Sequence, residues 1–82
     1  MSRQFINALK QKSLHIACDI TGKFYISGYG GMGMECISPA SEDSEIAILS
    51  LIEEGRLLPN DSVRYSTELG LSLKYYDYDE VL

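Results

Sequence analysis

The stretch Ser38–Gly55, SPASEDSEIAILSLIEEG, constrains the fold most, because the start, period and stop signals of a helix coincide in it. Ser38 is placed to accept from the backbone N–H groups of a first turn, and Pro39 suits the first helical position, whose N–H has no intrahelical partner. Glu42, Asp43 and Glu45 set negative charge near the positive end of the helix dipole. Gly55 follows the last periodic residue and can adopt the left-handed conformation that ends a helix, with Arg56 beside the negative end. At the helical period Ala47, Leu51, Ile48, Ile52 and Leu49 form one wide apolar arc, while Ser50, Glu53 and Glu54 lie outside it and Ile46 falls off it. The spacing therefore predicts a helix over 39–54. An arc this wide implies packing against a sheet and a second element, either a first helix or another copy of the chain.

The remaining segments read as strands around that helix. Residues 2–12 give a short amphipathic helix with Phe5, Ile6, Ala8 and Leu9 on its apolar face. Leu14–Ile20 alternates, with Leu14, Ile16, Cys18 and Ile20 on one side and His15, Ala17 and Asp19 on the other, the pattern of a half-buried strand. Thr21 and Gly22 form a turn, and Lys23–Ser27 resumes the alternation with Phe24 and Ile26 inward, so the two strands form a hairpin. Met34–Ile37 gives a third strand, 56–61 a turn, 62–67 a fourth strand and 71–75 a fifth. The order α-β-β-β-α-β-β predicts a small α+β domain over residues 1–82, an antiparallel sheet of four to five strands with two helices on one face.

Eighty-two residues suffice for one core. No apolar run approaches the ~20 residues needed to span a bilayer, and the N-terminal region lacks a signal-peptide core, so a cytoplasmic protein with reduced Cys18 and Cys36 is expected. The net charge of −5 is unevenly spread. Residues 1–34 carry Arg3, Lys10, Lys12 and Lys23 against Asp19, a net of +3, whereas residues 35–82 hold three basic and eleven acidic groups, a net of −8. An acidic C-terminal half argues against direct nucleic-acid binding and for docking on a basic surface.

No constellation of catalytic or metal-binding residues stands out. Two cysteines without a CxxC and a single His do not make an ordinary zinc site, and His15 has no second His or paired carboxylate beside it in the pattern. Glu53 and Glu54 are adjacent on a helix and point about 100° apart, so they form no dyad. Gly28-Tyr29-Gly30-Gly31-Met32-Gly33 satisfies G-x-G-x-x-G, but a phosphate cradle needs a helix to open at the last glycine, and here an extended segment follows. A hairpin loop is expected there. No catalytic residue, cofactor or metal is expected, and no enzymatic activity.

Two stretches have the composition of a protein-binding surface. Tyr75, Tyr76 and Tyr78 interleave with Asp77, Asp79 and Glu80, combining rigid aromatic area with carboxylates for Arg or Lys on a partner. Tyr29 and Met32 are large, adaptable side chains on the glycine loop. The function these features suggest is that of a small acidic inhibitor or adaptor docking on the basic surface of a larger protein, including a nucleic-acid-handling complex. In size and charge the chain is similar to phage-type inhibitors such as anti-CRISPR and anti-restriction proteins, an analogy from gross properties. The alternative is a homodimer or other homo-oligomer, structural or small-ligand-binding, that uses the apolar face of helix 39–54. No membrane partner is expected.

Overall fold

The central helix forms, but one turn later than its first capping signal. In the computed structural model, which describes residues 2–78, Ser41 is the N-cap of α2 (Glu42–Glu53), and its side chain accepts from the Ser44 N–H at 3.3 Å. Pro39 instead ends a strand: it lies opposite Tyr25 on the outer strand of the sheet, where a residue without an N–H costs no ladder bond. The stop signal works as read. Gly55 takes φ +72°, its N–H donates to the Ile52 carbonyl and that of Arg56 to the Leu51 carbonyl, closing a Schellman motif.

The order is α1 (Ser2–Gln11), β1 (His15–Cys18), β2 (Phe24–Tyr29), β3 (Glu35–Pro39), α2, β4 (Leu58–Ser66) and β5 (Leu71–Asp77), the predicted α-β-β-β-α-β-β. All pairings are antiparallel, and the sheet order is β3-β2-β1-β5-β4. β1 is central, with Ala17 opposite Tyr25 on one side and Tyr75 on the other.

Both helices pack on one face. Ile6 and Leu9 of α1 and Ile48 and Leu51 of α2 are buried with Ile16, Phe24, Leu57 and Tyr78. The other face carries a second apolar cluster of Ala17, Tyr25, Ile37, Leu73 and Tyr75, which no helix covers. A half-buried β1 was expected; on the side read as polar His15 is exposed, but Ala17 is fully buried in this second cluster. The Tyr75 hydroxyl of β5 reaches the Glu35 carboxylate of β3 although two strands intervene, so the sheet is strongly curled.

Boundaries also differ from the sequence reading at β1, β4 and β5. Ile20 does not continue β1 but is 96% exposed in a turn. The cause is Asp19, whose Oδ1 accepts from Thr21 N (2.8 Å), Thr21 Oγ1 (2.6 Å) and Lys23 N (3.0 Å), bending the chain out of the strand after Cys18. β4 begins at Leu58 and runs through the expected turn, with a register shift between Pro59 and Val63, where Asn60 Oδ1 accepts from the Ser62 N–H and hydroxyl. β5 extends to Asp77 and is an inner strand.

The turn that closes α1 holds Ser13, a non-glycine residue at φ +54°, with the Leu14 N–H donating to the Leu9 carbonyl. Ser13→Gly is expected to raise stability by about 0.5–1 kcal/mol, read from the urea midpoint, because the left-handed conformation penalises a Cβ more than glycine's extra chain entropy costs. A chain ending at Lys74 would lose the buried Tyr75 and Tyr78 rings; at about 3–5 kcal/mol each against a total stability of about 5–15 kcal/mol, no cooperative unfolding transition is expected.

Candidate functional site

The C-terminal tyrosines do not gather into a surface. Tyr75 is buried on the helix-free face, while Tyr76 is partly buried on the helix face near Phe24, at 6.2 Å between ring centroids. Tyr78 is buried, its hydroxyl donates to the Leu14 carbonyl, and its ring stacks on His15 at 5.6 Å. Alternate residues of an inner strand point to opposite faces, and both faces here are packed, so the aromatic side chains become core. Asp77 stays exposed, with Asn60 Nδ2 donating to its Oδ1 at 3.5 Å. Asp79 and Glu80 lie outside the described residues.

Tyr29 and Met32 remain available at 70% and 90% exposure. The loop that carries them is a hairpin connection: Gly30 N donates to Met34 O (2.8 Å), Gly33 N to Gly30 O (2.9 Å), and Gly33 takes φ +74°. β3 follows it, so no helix N-terminus opens at the last glycine.

On the helix-free face, one carboxylate is held in place. Ser27 Oγ donates to Glu35 Oε1 at 2.6 Å and the Tyr75 hydroxyl to the same oxygen at 2.9 Å. Tyr75 reaches Glu35 across both β1 and β2, and the Arg64 guanidinium sits 5.0 Å over the Tyr75 ring. The Ser27 bond, then that of Tyr75, lowers the Glu35 pKa, with the Arg64 charge adding to it. A carboxylate so stabilised in its ionised form is a weak base and a good anchor for a cation. Ser27, Glu35 and Tyr75 are distant in sequence. The β2–β3 hairpin register alone would have placed Ser27 diagonal to Glu35, but nothing local points to Tyr75.

The curl brings the two outer strands toward each other. Met34, Glu35 and Ile37 from the β3 side and Tyr65, Ser66, Thr67 and Glu68 from the β4 side line one cleft of about 310 Å³. A second, more apolar cleft of about 210 Å³ lies between α1 and the sheet, lined by Phe5, Leu9, Leu14 and Ile26 among others.

The third feature is the outer face of α2. Ile46 is 62% and Leu49 49% exposed, so Leu49 leaves the expected buried arc and joins Ile46 outside it. With Glu42 and Glu53 they make a stripe at spacings of four, three and four, and Asp43 and Glu45 flank it. Among the described residues the single ion pair joins Arg56 to Glu54, at 3.9 Å.

Burial, with the Asp19 charge second, pushes the Cys18 thiol up, and Cys36 is exposed. Among the described residues no three of His, Cys, Asp or Glu group as metal ligands, and no helix is long and apolar enough to cross a membrane. Comparison of the chain with protein-family models, curated proteins and solved structures finds no match to any of them.

Two carboxylates tie acid stability to the sheet. The Thr21 hydroxyl bond, with backbone N–H bonds and the Tyr25 hydroxyl, lowers the Asp19 pKa to about 2. The unfolded value is ~3.9, so this stabilisation is complete above about pH 4 and disappears as pH falls through about 2. Glu35 is lowered in the same sense. In urea titrations from pH 6 to acid (roughly the carboxylate range and below) Asp19→Asn is expected to flatten the acid-side loss of stability. Tyr75→Phe, which keeps the ring, is expected to cost about 1 kcal/mol at pH 7 by the same measurement.

Proposed function

We propose that the chain is a small acidic interaction protein, a non-enzymatic inhibitor or adaptor that lays the outer face of α2 on a basic surface of a larger protein. The observation that carries this reading is the stripe Glu42–Ile46–Leu49–Glu53, in which exposed aliphatic side chains sit among carboxylates that no cation among the described residues pairs with. Glu42 and Glu45 lie three residues apart, a like-charge spacing that costs a helix about 0.2–0.5 kcal/mol and is offset near the N-terminus by the dipole. A cationic partner meets these unpaired carboxylates while Ile46 and Leu49 lose water, so charge supplies salt-sensitive steering and the aliphatic pair supplies affinity. Its charge and size are similar to those of phage-type inhibitors that occupy nucleic-acid sites, where carboxylates stand in for phosphates. Exposed Tyr29 and Met32 add a second adaptable contact.

The same aliphatic pair would suit a two-fold interface, the homo-oligomer reading. An α2-to-α2 contact, however, sets carboxylates against carboxylates, which favours a basic partner over a second copy.

The test is capture from lysate at low and moderate salt, full-length protein beside a triple variant Glu42→Gln, Glu45→Gln, Glu53→Gln. A basic nucleic-acid-handling protein, identified by mass spectrometry, displaced by nucleic acid, lost as salt rises and retained at least tenfold less by the variant, is the expected outcome. Equal capture by the variant contradicts the reading, and a dimer mass unaffected by the substitutions would turn it toward self-association.

A further inference from the structure

The cleft between the outer strands lies away from α2, and its recognition chemistry is different. Ala40 N donates to Phe24 O at one end of the β2–β3 ladder and Gly30 N to Met34 O at the other. In an antiparallel ladder the bonded residues alternate, so Met34, Cys36, Ser38 and Ala40 face β2, while Glu35, Ile37 and Pro39 turn their backbone groups outward. β3 is an outermost strand, which leaves the N–H and C=O of Glu35 and Ile37 without a strand partner.

Natural sheets blunt such edges with lysine, proline or bulges. β4 carries Pro59 and a register shift, whereas on β3 only the last position, Pro39, lacks its N–H. The side chains of Glu35 and Ile37 line the cleft together with Met34, Tyr65 and Glu68. Glu35 is held by two hydroxyls at Oε1, and its Oε2 accepts no hydrogen bond among the described residues.

We infer that β3 is a strand-addition site for an extended peptide segment of a partner, with an Arg or Lys side chain seated in the cleft between Glu35 and Glu68. The segment's backbone pairs with the outward groups of Glu35 and Ile37, and its alternate side chains fall into the cleft. There the cation meets two carboxylates against the nearby Arg64, and its alkyl stem lies along Met34, Ile37 and Tyr65. The carboxylate geometry is set before binding, which lowers the ordering cost of the contact. This site stands on observations separate from those at α2 and does not require that reading.

The test is amide NMR of the full-length protein titrated with a short capped peptide alternating valine and arginine, beside the same peptide with glutamate for arginine, and arginine amide alone. Saturable shifts at Glu35, Ile37 and Glu68, absent with the glutamate peptide and much weaker with arginine amide, are expected. Glu35→Gln and Glu68→Gln are each expected to weaken binding about fivefold to tenfold. Gln keeps the carbonyl that Ser27 and Tyr75 donate to, and Glu68 is exposed, so the amide spectra report that both variants stay folded. Shifts confined to α2, equal affinity in both variants, equal binding of the glutamate peptide, or arginine amide binding as tightly as the peptide would each overturn the proposal.

Discussion

The structure depends on a four-residue strand that must hydrogen-bond along both of its edges. β1 is too short to carry a sheet alone, and its two partners come from opposite ends of the chain: β2 through a tight turn and β5 from far downstream. Once β5 takes that place, its successive residues face two packed layers. Tyr75 closes over Ala17 on one side, while Tyr76 and Tyr78 join the helix layer on the other. The small side chain at Ala17 is what lets rings from both neighbouring strands lie across the middle of the sheet.

The consequence for function is a division of labour between aromatic and charged residues. Tyrosines that look like a binding tail are used for cohesion, so the surface available for recognition is the outer face of α2, the glycine loop and the gap between the outer strands. The curl that brings Tyr75 to Glu35 also opens the cleft, and the ionised form of Glu35 is kept by Ser27 and Tyr75. Two acidic features of the surface thus differ in kind, carboxylates flanking exposed aliphatic residues on a helix and a single carboxylate fixed on the sheet.

Much of this architecture was legible in the sequence, for identifiable reasons. Gly55 ends α2 because a left-handed residue there satisfies two carbonyls, a local requirement that one residue reveals. The β1–β2 hairpin was visible in alternation broken by Thr21 and Gly22. Local competition hid other features: Ser38 and Ser41 both qualify as caps, and the pairing of Pro39 with Tyr25 decided for the second. Asp19 read as a polar strand residue, but as an acceptor for its own turn it throws Ile20 into solvent. What could not be read was non-local. Whether Tyr75 is surface or core depends on which strand lies beside β5, and whether Tyr75 meets Glu35 depends on the curl of the whole sheet.

The claim on which the rest stands is that the tyrosine-rich end of the described chain is an inner strand. Residue-resolved hydrogen exchange on the free protein tests it most directly, because amides bonded inside a sheet exchange only when the sheet opens. The β5 amides bonded to neighbouring strands are expected to be among the slowest, together with those of β1, and far slower than Gly31 and Met32 in the loop. Exchange throughout β5 as fast as in that loop would show the tyrosines to be a free tail, returning them to the surface and removing the reason to place recognition on α2 and β3.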